Sequence, residues 1–331
     1  MLSSLPPLRD LLSTARVVSL PLATRFRSIE VREALLIEGP LGWSEFSPFI
    51  EYEDAEAAAW LAATIDFGWT ASAPLVRDSV HVNATMPAVE ADRVPEILAR
   101  FGGCRTVKVK VAEPGQTVAD DVARVAAVRE AIGVEGRIRV DANGAWNLDE
   151  AEHAIHALAG FDLEYVEQPC GGLDELAEIR RRVKYMGIPI AADESVRKAE
   201  DPLAVARAGA ADILVIKAQP LGGITAALAL VAEAGLPAVV SSALETSIGI
   251  SMGLHVAGAI PTLEFDCGLA TASLLTADVT SDPFSVEAGT LSVRRVTPDA
   301  ALLDTHAASS DRTLWWLARL ERCYGLLAAS E

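Results

Sequence analysis

Asp141, Glu167 and Asp193 close three short β-branched runs, RVDAN, YVEQP and AADES, at successive intervals of 26 residues. That interval is one strand plus one helix, so the three carboxylates are expected on adjacent parallel strands at a common height. Acids gathered in this way repel one another and retain protons unless a cation neutralises them. Hard oxygen donors in an open octahedral arrangement suit Mg²⁺, with Mn²⁺ as the alternative. A single acid at a strand end is more readily a helix cap or part of a solvated rim, but three in register favour a divalent-metal site.

In TVKVKV, residues 106–111, Lys108 and Lys110 point to one side of a strand while Val107, Val109 and Val111 point to the other. Valine at every alternate position describes a strand whose outer face lies under helices, which argues against a solvated edge carrying two surface lysines. Lys217 ends the run DILVIK, on the opposite side of the expected site. A lysine acts as a base near neutral pH only if its pKa falls, and a second ammonium, a nearby metal and partial burial all push it down. The pairing of Lys108 with Lys110 thereby acquires a reason, since each ammonium lowers the pKa of its neighbour. Alternation also sets Arg139, Asp141 and Asn143 on one face, which places Arg139 and Asn143 in the inner or surrounding shell.

These side chains need a scaffold that presents successive strand ends to one space. From about residue 80 to 266 the runs VHVNAT, TVKVKV, RIRVDA, LEYVEQ, IPIAAD, DILVIK, AVVSS and TLEFD alternate with alanine-rich amphipathic stretches that often stop at glycine. Eight such runs predict an α/β fold, a (β/α)7β TIM-like barrel over residues 80–285. Residues 1–79 read as antiparallel strands (SIEVREALLIEG, GWSEFSP) followed by a helix, an α+β capping domain. The tail 286–331, with GTLSVRRV as a strand and RTLWWLARLERCYGLL as an apolar helix, is expected to complete it. The Trp315–Trp316 pair reads as packing.

Composition narrows the class further. Among 331 residues, 51% are hydrophobic and 22% charged, as in a well-filled globular protein. Lysine plus arginine total 28 against 46 acidic residues, and a net charge of -18 repels phosphate backbones, so nucleic acid is not an expected partner. Cys104, Cys170, Cys267 and Cys323 lack metal-site or redox spacing and read as free thiols of a reducing cytoplasm. The first twenty residues are too interrupted for a signal peptide, and ITAALALVAEAGLPAVV is broken by Glu233, Gly235 and Pro237, so no membrane span is expected. The sequence leaves open whether the chain is a monomer or a homo-oligomer.

The ordered set KVK, RVDANGAW, EQP, ADES and IKAQPLGG resembles the enolase superfamily in its muconate-lactonizing-enzyme-like subgroup, over essentially the whole chain. The resemblance implies that Asp141, Glu167 and Asp193 ligate Mg²⁺ while Lys110 and Lys217 flank a small-molecule carboxylate substrate. It implies removal of a proton α to that carboxylate, leading either to a syn-dehydration with Lys110 as sole base or to a racemisation or epimerisation that uses both lysines. AVVSSALETS carries no histidine, which disfavours chemistry needing a base on the seventh strand, and His255 is expected to be structural. Ser241 and Gly268 are expected substrate contacts. Arg25 and Arg27 are candidates for a second substrate carboxylate.

Overall fold

A computed structural model describes residues 5–26, 29–198 and 201–330. The N-terminal part contains helix α1 (Leu8–Thr14), an antiparallel meander of β1 (Arg16–Phe26), β2 (Ile29–Gly39) and β3 (Gly42–Phe46), and helix α2 (Asp54–Trp69). Ala34, Leu35, Leu36 and Ile37 of β2 are all fully buried, because both faces of the strand are covered. The aromatic cluster beneath α2 joins Trp60 to Phe46, Phe49 and Tyr52.

The barrel follows with β4 (Ser79–His81), β5 (Ala84–Met86), β6 (Thr106–Lys110), β7 (Arg137–Asp141), β8 (Leu163–Glu167), β9 (Ile190–Ala192), β10 (Ile213–Ile216) and β11 (Ala238–Val240). Between and after them lie α3 (Val94–Leu98), α4 (Val118–Ile132), α5 (Leu148–Leu158), α6 (Leu173–Val183), α7 (Glu194–Arg197), α8 (Ala204–Ala208), α9 (Ile224–Ala234) and α10 (Ser247–Ala259). Strands β5 to β11 form one parallel sheet in sequence order. The outward β-branched side chains Val107, Val109, Ile138 and Val140 are fully buried under the helices, each contributing about 1.5–3 kcal/mol of burial.

Helix starts follow local chemistry. Thr117 and Asp120 form a capping box at α4, and Asn147 and Glu150 form one at α5. Gly133, at φ 71°, ends α4 in a conformation that suits glycine.

Two expected barrel runs differ from their sequence reading. VHVNAT is split: β4 pairs antiparallel with β12 (Thr290–Ser292), and only β5 joins the parallel sheet. TLEFD is not a strand. The sheet edges are instead joined by the two residues after it, Cys267 bridging to Val82 and Gly268 to Ser241. Asp266 of this run meets Arg137 and Thr106 in the barrel floor, and no ladder forms.

After β12 come α11 (Ala300–Thr305) and α12 (Ser310–Ala328). The latter packs against α2: Trp316 is fully buried, stands edge-on to Phe46 and donates Nε1 to Glu33 at 2.9 Å. The four cysteines are free, and burial pushes their thiols up to about 11 or 12. Among the described residues no helix is long and apolar enough to cross a membrane.

Candidate active site

Strand register brings the chemistry together. Lys110 pairs with Asp141, and Asp141 with Glu167, across β6, β7 and β8. Asp193 follows β9 as the first residue of the turn into α7. Lys217 follows β10 and Ser241 follows β11, so every one of these side chains leaves the C-terminal end of its strand.

The charges are nearly dry and interlocked. Lys108 Nζ stands 2.5 Å from Glu167 Oε1 and 2.8 Å from Asp141 Oδ2. Lys110 Nζ reaches the same Asp141 oxygen at 2.5 Å and Asn143 Oδ1 at 2.7 Å. Lys217 Nζ contacts Asp193 Oδ2 at 2.5 Å, while Arg197 Nε donates to Asp193 Oδ1 at 3.0 Å. Burial alone would raise the Asp141 and Asp193 carboxyls, but Lys108 and Lys110 hold the first, and Lys217 and Arg197 the second, below the usual range. Glu167 is pushed up to about 7 by burial and by the Asp141 charge.

Lys108 sits between two acids and beside Lys110. The two β6 lysines meet on one carboxylate oxygen, so their repulsion is offset. Burial would lower Lys108, yet Asp141 and Glu167 hold its ammonium well above the ordinary lysine range. Lys108 is therefore a fixed cation that bridges two acids.

Among the described residues no three acids, histidines or cysteines close on a common point as a ready metal cage. Lys108 bridges the first two carboxylates, and Lys217 holds the third. The donor set nevertheless fits a hard divalent cation. Glu167 Oε2 is buried without a hydrogen-bond partner, an orphan that a cation would satisfy.

Asn143, at φ 48°, turns its backbone N–H to Asp141 Oδ1 at 2.9 Å and its side-chain nitrogen to Glu194 Oε1 at 3.1 Å. Arg139 differs from its expected position. Its fully buried guanidinium turns to the barrel floor, to Glu164 at 2.5 Å, Asn83 at 3.0 Å and the Asp266 carbonyl at 2.6 Å, because Glu164 lies lower on β8 than Glu167. Ser241 and Gly268 come together: a Cβ at Gly268 would lie 2.6 Å from Ser241 Oγ. His255 is buried in α10 against Phe67, its Nδ1 2.7 Å from the Ser251 carbonyl, and burial lowers its pKa.

Four residues escaped the sequence reading. Gln168 Oε1 accepts from the Asp193 and Ser195 N–H groups at 3.0 and 3.1 Å and so fixes the turn that carries Asp193. Glu194 and Arg197 pair at 2.7 Å, and Arg197 also reaches Tyr52 Oη at 3.2 Å. The spacing of ESVR, an acid and an arginine three apart opening a helix, was the available signal.

Lys108, Lys110, Lys217, Asn143, Ser241 and Thr271, with Phe26 and Phe49 of the cap, line a cavity of about 30 Å³. A neighbouring cavity of about 410 Å³ shares Phe26, Lys110 and Asn143 and is lined also by Arg25 and Arg93. Arg27 lies outside the described residues. The smaller space has room for water and opens beside the larger one across Phe26, Lys110 and Asn143.

The arrangement is a strand-end bowl of lysines facing carboxylates. Residues 91–324 match the family model for enolase C-terminal domain-like proteins, and residues 17–68 that for enolase N-terminal domain-like proteins. The chain is 54% identical over 331 residues to an o-succinylbenzoate synthase of Mycobacterium tuberculosis, covering 100% of this chain and 99% of the relative. It is 52% identical over 321 residues to one of Mycobacterium ulcerans, covering 97% and 96%. Among solved structures, a muconate lactonizing enzyme from Pseudomonas fluorescens complexed with muconolactone superposes with TM-score 0.76 at 21% identity, covering 89% of this chain and 98% of that one. The L-Ala-D/L-Glu epimerase from Bacillus subtilis gives 0.73 at 23%, covering 86% and 96%. At these identities the two structures speak for the fold alone.

Proposed function

The chain belongs to the enolase superfamily, and from that premise we propose that it is an o-succinylbenzoate synthase, a carbon–oxygen lyase. It dehydrates 2-succinyl-6-hydroxy-2,4-cyclohexadiene-1-carboxylate to 2-succinylbenzoate, a step of menaquinone biosynthesis, in the cytoplasm. Full-length identity of 54% to o-succinylbenzoate synthases carries this reading. The two lysines from β6 and the β10 end, with acids between them, supply the chemistry it requires.

Lys110 takes the proton α to the ring carboxylate, and the C–H electrons enter the enediolate. The same lysine returns a proton to the hydroxyl on the same face, the C–O bond breaks, water leaves and the ring becomes aromatic. One base suffices because both bonds break on one side. Asn143 Oδ1 and Asp141 hold the Lys110 nitrogen in place before the substrate enters. Lys217 stays cationic across the ring and stabilises the developing negative charge, with a cation–π contribution. Asp141, Glu167 and Asp193 would hold Mg²⁺, or Mn²⁺, which when bound neutralises charge on the substrate carboxylate. The cavity bounded by Arg25 receives the succinyl arm.

Residues 80–285 carry the reaction in this reading and residues 1–79 cap it together with α12 of the tail, whereas β12, expected in the cap, pairs with β4 of the barrel instead. The test is dehydration of the cyclohexadiene substrate with and without EDTA, beside a panel of N-succinylamino acids. Full activity in excess chelator would remove the metal assignment. Racemisation of the panel without dehydration would replace the lyase by a two-base racemase.

A further inference from the structure

The segment 241–246 between β11 and α10 forms one wall of the lysine cavity through Ser241, Ser242, Ala243 and Leu244. It belongs to the barrel, yet it is held from the cap. Arg32 of β2, only 3% exposed, donates Nε to the Leu244 carbonyl at 3.1 Å and Nη2 to the Ala243 carbonyl at 3.3 Å and to the Ser47 carbonyl. Its guanidinium lies 4.5 Å from the ring centroid of Phe49, which faces the same cavity.

Glu45 of β3 is fully buried and grips the far end of the segment. It accepts from Thr246 N at 3.1 Å, Thr246 Oγ1 at 2.6 Å and Gly249 N at 3.1 Å. Between the two grips Leu244 adopts φ 66°, a conformation costly for a branched side chain and kept only where the surroundings enforce it. Successive carbonyls converging on one planar donor fork are matched by arginine and not by lysine.

We propose that Arg32 and Glu45 are positioning residues that set the 242–244 wall from the cap, so that substrate affinity depends on contacts crossing between cap and barrel. Asp141, Glu167 and Asp193 stand on or just after β7, β8 and β9, apart from the segment that Arg32 and Glu45 hold. The inference rests on the dehydratase reading above.

Steady-state kinetics of Arg32→Lys, Arg32→Ala and Glu45→Gln test it, alongside Mg²⁺ titration calorimetry. KM for the cyclohexadiene substrate should rise about tenfold while kcat stays within about threefold and Mg²⁺ affinity within about twofold. Guanidinium added to Arg32→Ala should recover much of the loss in KM. A purely structural role would lower the folded fraction and leave KM of the folded remainder unchanged. KM of folded Arg32→Lys within about twofold of the unaltered protein overturns the proposal. Hydrogen exchange in the unaltered protein gives a reading free of any folding defect. Bound product should protect the Thr246 and Gly249 amides, and unchanged protection there also overturns it. Absence of dehydration in the unaltered protein would instead count against the activity itself.

Discussion

Lys110 Nζ and Asn143 Oδ1 lie 2.7 Å apart, and the opposite edge of the same amide donates to Glu194. Asn143 therefore fixes the proposed base by its oxygen and is itself fixed by its nitrogen. Lys110→Ala should lower kcat on the order of a thousandfold, the scale of a lost general base. Asn143→Ala should cost about tenfold in kcat with little change in KM, because it removes only the hold on the nitrogen. Equal loss in both variants would move the base assignment away from Lys110.

Lys217 offers a cleaner separation of roles. Lys217→Arg keeps the cation beside Asp193 and removes an efficient base, so dehydration should persist within about tenfold, whereas Lys217→Met should lose about a hundredfold or more. Exchange of the α-proton with deuterated solvent, followed by NMR, checks the same point. Collapse of dehydration in Lys217→Arg would show that this lysine moves a proton.

The Asp193 carboxylate is gripped by Lys217 and Arg197, and its backbone N–H donates to Gln168 Oε1. Asp193→Asn should weaken Mg²⁺ binding on the order of a hundredfold, read by calorimetry, with activity recovering at high metal concentration. Unchanged affinity would remove Asp193 from the ligand set.

Stability should carry the signature of Glu45. Burial first, and the Glu245 charge second, raise its carboxyl from 4.5 to about 7. Between those values the folded chain keeps a proton that the unfolded chain releases, so stability falls as pH rises from 4.5 to 7 and levels off above. The full difference is about 3 kcal/mol. Urea unfolding of Glu45→Gln across this window should show a flatter pH dependence, and parallel curves would refute the assignment.

Gly268 is a test of close packing. Gly268→Ala places a methyl against Ser241 Oγ, which must yield at a cost of about 1–3 kcal/mol. KM should rise with it, because Ser241 lines the substrate cavity; unchanged KM would remove Ser241 from the substrate contacts.

The lysines and carboxylates were legible because strand alternation and the barrel period together determine which side chains share the mouth. TVKVKV needed nothing beyond its own sequence to show two faces. Arg139 was misplaced because alternation gives the face of a strand and not the height to which a long side chain travels. Its carboxylate partner, Glu164, lies lower on the next strand. The eighth stave failed for a related reason: TLEFD has strand-like residues, but Asp266 is claimed by Arg137 and Thr106 on neighbouring staves, and the ring closes two residues later. Gln168 and Arg197 act through turns whose shape depends on distant partners, and no local pattern announces them.

That two-residue closure at Cys267 and Gly268 divides the rim by the extent of its backbone pairing. The acids and the base rise from β6 to β9 of the seven-stranded parallel sheet. Ser241, Ser242 and Thr271 stand instead beside the weakest seam of the cylinder. Substitutions at this closure therefore act on the substrate side of the mouth and leave the pairing of the carboxylate-bearing strands as it is.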